Sequence, residues 1–362
     1  MTDLEYLIIP KVTRKRIQVT LKNNTSYATA NPHVQLIVIS HAYLQSLLGF
    51  GISPYAVPFF VYFIDLTNGS LAYSYYDTFD GMYHHWWVKT GQISANSTYE
   101  LMMVFDNTEI QLDGDYVGIN PYYAYYANSL LPSYGQYDNG SNVFYYYWNF
   151  SGTSLPSGWT ANLNGGSYSV NNGLTITTSS SASGNLGMMY NLSTIPSTGV
   201  WARAWYTVNT CCGCSSGNDF ARELGNSFSA PWSGNGYAYS LYGGGGSGAF
   251  VDSISNGSLS TIASASIWCP GGASGYTDFI WLYTNESYVY QFDRITGSFL
   301  SGSSTAWTLS ALSEIMIGIV KPGSNSTSYT IFPLIIADAP LGYSVFNSAP
   351  VVVPYPTFTP AD

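Results

Sequence analysis

Ten asparagines stand two residues before a serine or threonine, with no proline between: Asn23, Asn24, Asn68, Asn96, Asn139, Asn149, Asn191, Asn256, Asn285 and Asn325. Such an amide nitrogen accepts an N-linked glycan, a bulky and solubilising group carried by exterior proteins. Their spread along both halves predicts a glycosylated exterior, with the overlapping Asn23 and Asn24 not modified together. Cys211, Cys212 and Cys214 crowd one short stretch, and Cys269 stands apart. Zinc sites use C-x2-4-C pairs, and adjacent cysteines do not converge on one ion, so no metal site is expected. Two readings stay open, two disulfides or one disulfide with a strained or free pair, in an oxidising setting. Cys269 is expected to bridge back to Cys211–Cys214.

The remaining reactive side chains do not assemble into catalytic patterns. His84-His85 beside Trp86-Trp87 suggests a metal or sugar site, yet neighbours on a strand point to opposite faces. With His33 and His41, these histidines are expected to be structural. Glycoside hydrolysis needs two facing carboxylates, about 5 Å apart for a retaining enzyme. Asp113-x-Asp115 has strand alternation but lies in a Gly-rich stretch, where a turn or a cation site is as good a reading. Glu223, Asp278, Asp293 and Glu314 stand isolated. Nucleophile chemistry lacks a G-x-S-x-G elbow, and Gly243–Gly246 lacks the Lys-Ser/Thr and helix of a phosphate loop. The sequence therefore predicts no enzyme and no cofactor. Trp232, Trp281 and Tyr283 are the candidates for stacking against sugar rings.

Composition fixes the setting of these residues. Of 362 residues, 46% are apolar and 8% charged, against about 25% charged in an average soluble domain. Solubility must come from hydroxyls, amides and attached sugars. The 33 tyrosines suit strands, with an apolar ring and a polar tip. A net charge of -10 argues against nucleic acid as a partner. Lys11, Arg14, Lys15, Arg16 and Lys22 interleave with Ile17, Val19 and Leu21, which reads as a polar-faced strand rather than a basic arm. Few carboxylates limit the stability lost by protonation, so an acidic, hot habitat is expected. No run of 18 apolar residues spans a membrane. Met1 to Pro10 lacks the basic and apolar regions of a secretory signal.

Short strands fill the chain. Phe59–Ile64, Leu71–Tyr76, Tyr83–Val88 and Tyr99–Phe105 are separated by turn signals such as Asn68-Gly69 and Asp80-Gly81. His41–Phe50 predicts one short helix ended by Gly49, Gly51 and Pro54. Residues 107–143, rich in Asn, Gly, Pro and Tyr, read as a connector. The expected organisation is all-β, two β-sandwich domains in tandem: 1–142 with the Tyr/Gly-rich connector, 143–345, and an extended Pro-rich tail, 346–362, that clamps a neighbour.

Phe63-Ile64-Asp65-Leu66-Thr67-Asn68-Gly69-Ser70-Leu71-Ala72-Tyr73 is followed by Trp87-Val88-Lys89, Ser94-Ala95-Asn96-Ser97-Thr98 and Met103-Val104-Phe105-Asp106-Asn107. This order resembles a domain of unknown function from archaeal and bacterial surface proteins, whose usual Tyr/Phe-Gly-Asn ending is Phe105-Asp106-Asn107 here. Asn149-Phe150-Ser151-Gly152-Thr153-Ser154-Leu155-Pro156 with Trp159-Thr160 resembles the opening of a concanavalin A-like (LamG-like) jelly roll. The resemblance implies jelly-roll folds and carbohydrate or surface association, and no catalytic residues. With the exterior chemistry and the unprocessed-looking start, it leads to the expectation of a non-enzymatic structural or attachment protein on an archaeal virus particle. Its partners would be further copies, other virion proteins and host-surface glycans, at the virion surface or extracellularly. The competing expectations are a secreted adhesin, a filament subunit, a carbohydrate-binding protein and a glycan-cleaving enzyme.

Overall fold

A computed structural model describes residues 14–24, 26–106, 112–122, 133–179, 184–196, 199–210, 219–242, 248–266, 274–282, 287–293, 298–304, 307, 309–320, 326–338 and 357–361. The chain forms two units, Met1–Tyr147 with Pro340–Asp362, and Trp148–Ala339. Both are built of paired sheets, so the protein is all-β with two sandwich units of jelly-roll type, as the alternation of short strands and turns predicts.

In the first unit one antiparallel sheet runs β24 (Thr357–Ala361), β1 (Lys15–Lys22), β7 (Thr98–Phe105), β3 (Val61–Asp65), β4 (Ser70–Ala72). The other runs β2 (His33–Ser40), β6 (Tyr83–Thr90), β5 (Ser74–Phe79), β8 (Val117–Ile119), the last parallel to β5. Period-two alternation decides what each strand buries. On β1, Ile17, Val19 and Leu21 point into the core, while Gln18 and Thr20 point outward and donate to Glu100. Across the core, Ile37, Ile39, Trp86 and Val88 join the same apolar cluster. The rings of Phe63 and Trp86 meet edge-on at 6.1 Å. Both hairpin signals form turns: Gly69 (φ 73°) and Gly81 (φ 98°) take the left-handed backbone that glycine adopts without strain. α1 (His41–Leu48) starts at Ser40, whose hydroxyl accepts from Tyr43 N, and stops at left-handed Gly49.

The stretch read as a connector is woven into this unit. It supplies β8, and the residues just after it, Phe144 and Tyr147, pack on Trp87 and Tyr75 from the outer side of the second sheet. That sheet is therefore buried on both faces. The tail likewise returns to its own chain, since Thr357–Ala361 pairs with β1. β9 (Tyr146–Trp148) straddles the division between the units.

In the second unit a seven-stranded antiparallel sheet runs β10 (Trp159–Asn162), β13 (Leu186–Asn191), β22 (Glu314–Val320), β15 (Asp219–Asn226), β16 (Asn235–Tyr242), β17 (Gly248–Ser255), β18 (Ser258–Ser266). The other sheet runs β11 (Ser167–Val170), β12 (Leu174–Thr177), β23 (Ser328–Asp338), β14 (Gly199–Thr210), β19 (Ser274–Leu282), β20 (Ser287–Asp293), β21 (Ser298–Ser304). On the seven-stranded sheet, registry places buried Leu186, Met188, Ile315, Ile317, Ile319, Leu224, Tyr237 and Tyr239 on one face. The opposite face holds Gly187, Met189, Met316, Gly318, Ala221, Glu223 and Ala238.

Candidate functional site

The connection from β15 to β16, residues 227–234, folds back as a strap over this opposite face. Room for it comes from two glycines paired across β13 and β22. A β-carbon at Gly318 would lie 2.7 Å from Pro231 Cγ, and one at Gly187 3.0 Å from Pro231 Cδ. Phe228 of the strap packs with Ala238, Ile254, Met316 and Met189. Polar side chains hold its backbone. Glu314 Oε2 accepts from Phe228 N at 2.8 Å and Glu223 Oε1 from Trp232 N at 2.7 Å. Asn162 and Asn185 donate to the Ser229 and Pro231 carbonyls at 2.7 and 3.0 Å. Ser227 (φ 58°) and Trp232 (φ 62°) hold left-handed backbone without being glycine, a strain of about 1 kcal/mol or more each.

Adjacent positions put Arg222 and Glu223 on opposite faces of β15, and both are buried. Glu223 Oε2 and Trp232 Nε1 are buried and make no hydrogen bond among the described residues. Burial pushes the Glu223 carboxyl up to about 8, against the pull of the Trp232 N–H, so it keeps its proton at neutral pH. Asp252 lies two strands away on the same face, through the register Glu223↔Ala238↔Asp252. Burial raises its carboxyl too, opposed by the Thr261 hydroxyl. The strap thus brings together a protonated acid and a half-buried indole whose N–H is buried and has no partner among the described residues.

Of the three stacking candidates, Trp232 sits in this strap. Trp281 lies on β19 opposite Val200 and Val289, its side chain outside the described residues, and Tyr283 is outside them altogether. So are Cys211, Cys212, Cys214 and Cys269. Glu223 stands isolated in the sequence, where nothing local marks a carboxylate for burial.

In the first unit His84 and His85 point to opposite sides, as neighbours on a strand must. His84 Nδ1 is 2.9 Å from the Tyr76 hydroxyl and its Nε2 is 2.9 Å from His41 Nδ1. Burial pushes His84 down to about 3 and lowers His41 as well. His85 Nε2 meets Asp80 Oδ2 at 3.2 Å, and His33 bonds Gln35 at 3.1 Å. Asp113 Oδ1 accepts from the Asp115 and Val117 N–H groups, which makes Asp113-x-Asp115 a turn. No group of three or more His, Cys, Asp or Glu among the described residues is placed to hold a metal. No helix among them is long and apolar enough to cross a membrane.

The glycan acceptors divide by burial. Asn24, Asn68, Asn96, Asn191 and Asn256 are exposed and Asn149 is half-buried, while Asn285 and Asn325 lie outside the described residues. Asn23 and Asn139 need correction: both are buried, with the amide nitrogen spent on carbonyls. Asn23 Nδ2 donates to Tyr27, Ile93 and Ser94, and Asn139 Nδ2 to Ser74 and Asp115. Of the overlapping pair, Asn24 is the exposed residue. Glycopeptide mapping of the chain made in a glycosylating host is expected to show sugar at Asn24 and none at Asn23 or Asn139. An occupied Asn139 would contradict the buried placement.

No family model matches the chain, and no curated protein matches its sequence. Solved structures resemble it weakly over about half its length. The Emp47p carbohydrate recognition domain is 9% identical over 54% of this chain and 96% of that one, with a TM-score of 0.42. Lectin II from Ulex europaeus is 11% identical over 53% and 97%, with a TM-score of 0.36. The GH43 protein BlXynB from Bacillus licheniformis is 10% identical over 53% of this chain but 39% of its own, with a TM-score of 0.38. At such scores these likenesses carry no argument about function.

Proposed function

We propose that this chain is a non-enzymatic attachment or structural protein on the exterior of a virus particle of archaea, and that it binds surface glycans through the strap at residues 227–234. The observation that carries the glycan reading is Trp232: a half-buried indole, held at strained backbone in the strap. An aromatic face partly open to solvent suits a sugar, which offers a C–H face for stacking. The exterior reading is supported by the 8% charged composition and by exposed acceptors such as Asn96 and Asn256.

A glycan array probed with the intact chain tests the binding. The expected result is binding to a restricted set of glycans that weakens at least tenfold in Trp232→Ala and is unchanged in Tyr168→Ala, an exposed aromatic elsewhere in the unit. Equal loss in both variants, or no binding at all, would remove the strap from the reading. Capsid and packaging genes beside this gene would support the virion setting, and their absence would favour a cellular adhesin.

One observation favours a second reading, a glycan-cleaving enzyme. Glu223 keeps its proton near neutral pH as a general acid must, and Asp252 shares its face two strands away, about 10 Å by strand spacing. That is near the separation of an inverting carboxylate pair. Glu223 is, however, sealed beneath the strap. Release of reducing ends from glycans that is lost in Glu223→Gln would establish this reading over the first.

A further inference from the structure

Strand β24 stands apart from the rest of its unit. The other described strands of its two sheets lie between residues 15 and 119, whereas β24 returns after the whole second unit and a connection formed by residues 339–356. It pairs with β1, from Arg16↔Ala361 to Thr20↔Thr357, and forms the edge of the sheet.

β1 does not depend on β24 for its place. Ile17, Val19 and Leu21 anchor it in the core, and β7 pairs with it along its whole length, from Lys15↔Phe105 to Lys22↔Thr98. Glu100 ties down Gln18 and Thr20, and Asp106 meets the Arg14 guanidinium at 2.7 Å. The side of β1 that β24 covers is therefore a preformed row of backbone donors and acceptors, in a strand without proline. Left bare, it would be a template for another strand. β24 has the opposite character. Pro360, opposite Ile17, brings no N–H, and a residue of that kind belongs at an edge where pairing stops.

An acceptor edge fixed by its own core, a short donor strand that ends the sheet, and a long tether between them are the parts of a strand exchange. A tether of residues 339–356 reaches up to about 60 Å when extended, and loop length adds only slowly to the entropy of closing it. The same hydrogen bonds form in the same register whether β24 comes from its own chain or another. We propose that the β1 edge is an interaction surface for β24 of a second copy of this chain, so that copies join by exchanging this strand. Reciprocal exchange closes a two-fold dimer, and one-way exchange continues as a filament. The proposal is independent of the glycan reading.

The register supplies the test. Gln18 and Thr359 are partners, so the full chain carrying Gln18→Cys and Thr359→Cys is prepared in nitrogen-15-labelled and unlabelled forms. The two are mixed in equal amounts, unfolded and refolded together, and oxidised. The disulfide-linked peptide pair holding residues 18 and 359 is then weighed by mass spectrometry. Exchange predicts mixed-isotope pairs, approaching about half of the total when partners are drawn at random, with a share that rises with protein concentration. Light scattering of the unsubstituted chain is expected to show species larger than a monomer that Thr359→Pro abolishes, since it removes a further N–H from the donor strand. Same-isotope pairs alone at every concentration, no linked pair at all, or a monomeric unsubstituted chain would each overturn the proposal.

Discussion

Lowering the pH from 8 to 3 is expected to destabilise the first unit and stabilise the second. His84 is buried as a neutral imidazole between Tyr76 and His41, with its folded value pushed down from 6.5 to about 3. Its contribution is present above pH 6.5 and is lost as the pH falls towards 3. One pKa unit is about 1.36 kcal/mol, so the loss is on the order of 4 kcal/mol. His41, lowered mainly by burial, acts in the same direction. Burial alone would raise the Asp80 carboxyl, but His85 and the Tyr83 and Met82 N–H groups outweigh it and hold the carboxyl below its usual range. That contribution is lost in still stronger acid. Glu223 runs the other way. Its folded value is raised from 4.5 to about 8, so its contribution is complete below pH 4.5 and is lost as the pH rises to 8, again on the order of 4 kcal/mol. Burial gives Asp252 the same sign. Hydrogen exchange read by mass spectrometry, corrected for intrinsic rate, follows each unit separately. Protection should fall in β5 and β6 and rise in β15 and β16 as acid is added. Glu223→Gln should flatten the second trend and leave the first. Parallel trends in both units would sink the assignment. The scarcity of carboxylates, which suggests acid endurance, counts charges and says nothing of which titrating groups are buried.

The difference between what was legible in the sequence and what was not follows from range. Strand alternation at Ile17, Val19 and Leu21 is a local signal, and so are Asn68-Gly69 and Asp80-Gly81, so strands, hairpins and the short helix can be read directly. Asn256-Gly257 forms a two-residue turn with φ 48° and 82° between Ser255 and Ser258, again a local matter. The strap depends on Gly187 and Gly318, which are distant in sequence and make room for Pro231 only once β13 and β22 pair. Glu223 follows Arg222 on a strand buried on both faces, where alternation of polar and apolar residues carries no information about which side is wet. His84 finds Tyr76 within its own hairpin, but His41 comes from the start of α1. The residues read as connector resemble loops in composition because much of their contribution is made by tyrosine and asparagine, which pack and donate at the same time.

Replacing Asp77 with alanine is expected to cost the first unit about 3–5 kcal/mol, a large share of a typical domain's stability. Asp77 sits at a bulge in β5, where registry with β6 passes from Tyr76↔Trp86 to Thr78↔His85. At this bulge the Asp77 side chain is fully buried. Oδ1 accepts from Asn120 Nδ2 at 2.8 Å and Oδ2 from Trp87 Nε1 at 3.3 Å. Asn120 in turn donates its backbone N–H to the Tyr76 carbonyl and accepts from Tyr122 N. One carboxylate therefore joins β5 and β6 to the segment following β8. Alanine leaves at least two buried donors without their acceptor, and each such loss costs about 1–3 kcal/mol before the cavity is counted. Asp77→Asn keeps the volume and one acceptor but turns an NH2 towards the other donor, so an intermediate loss is expected. Asp113→Ala removes a carboxylate of similar local role from an exposed turn, where the loss should stay below about 1 kcal/mol. Urea unfolding at pH 7, followed by hydrogen exchange in β5 and β6, orders the three variants. If Asp77→Ala cost no more than Asp113→Ala, the carboxylate would be a spectator, and the second sheet would owe its cover to the aromatic layer of Tyr75, Phe144 and Tyr147 alone.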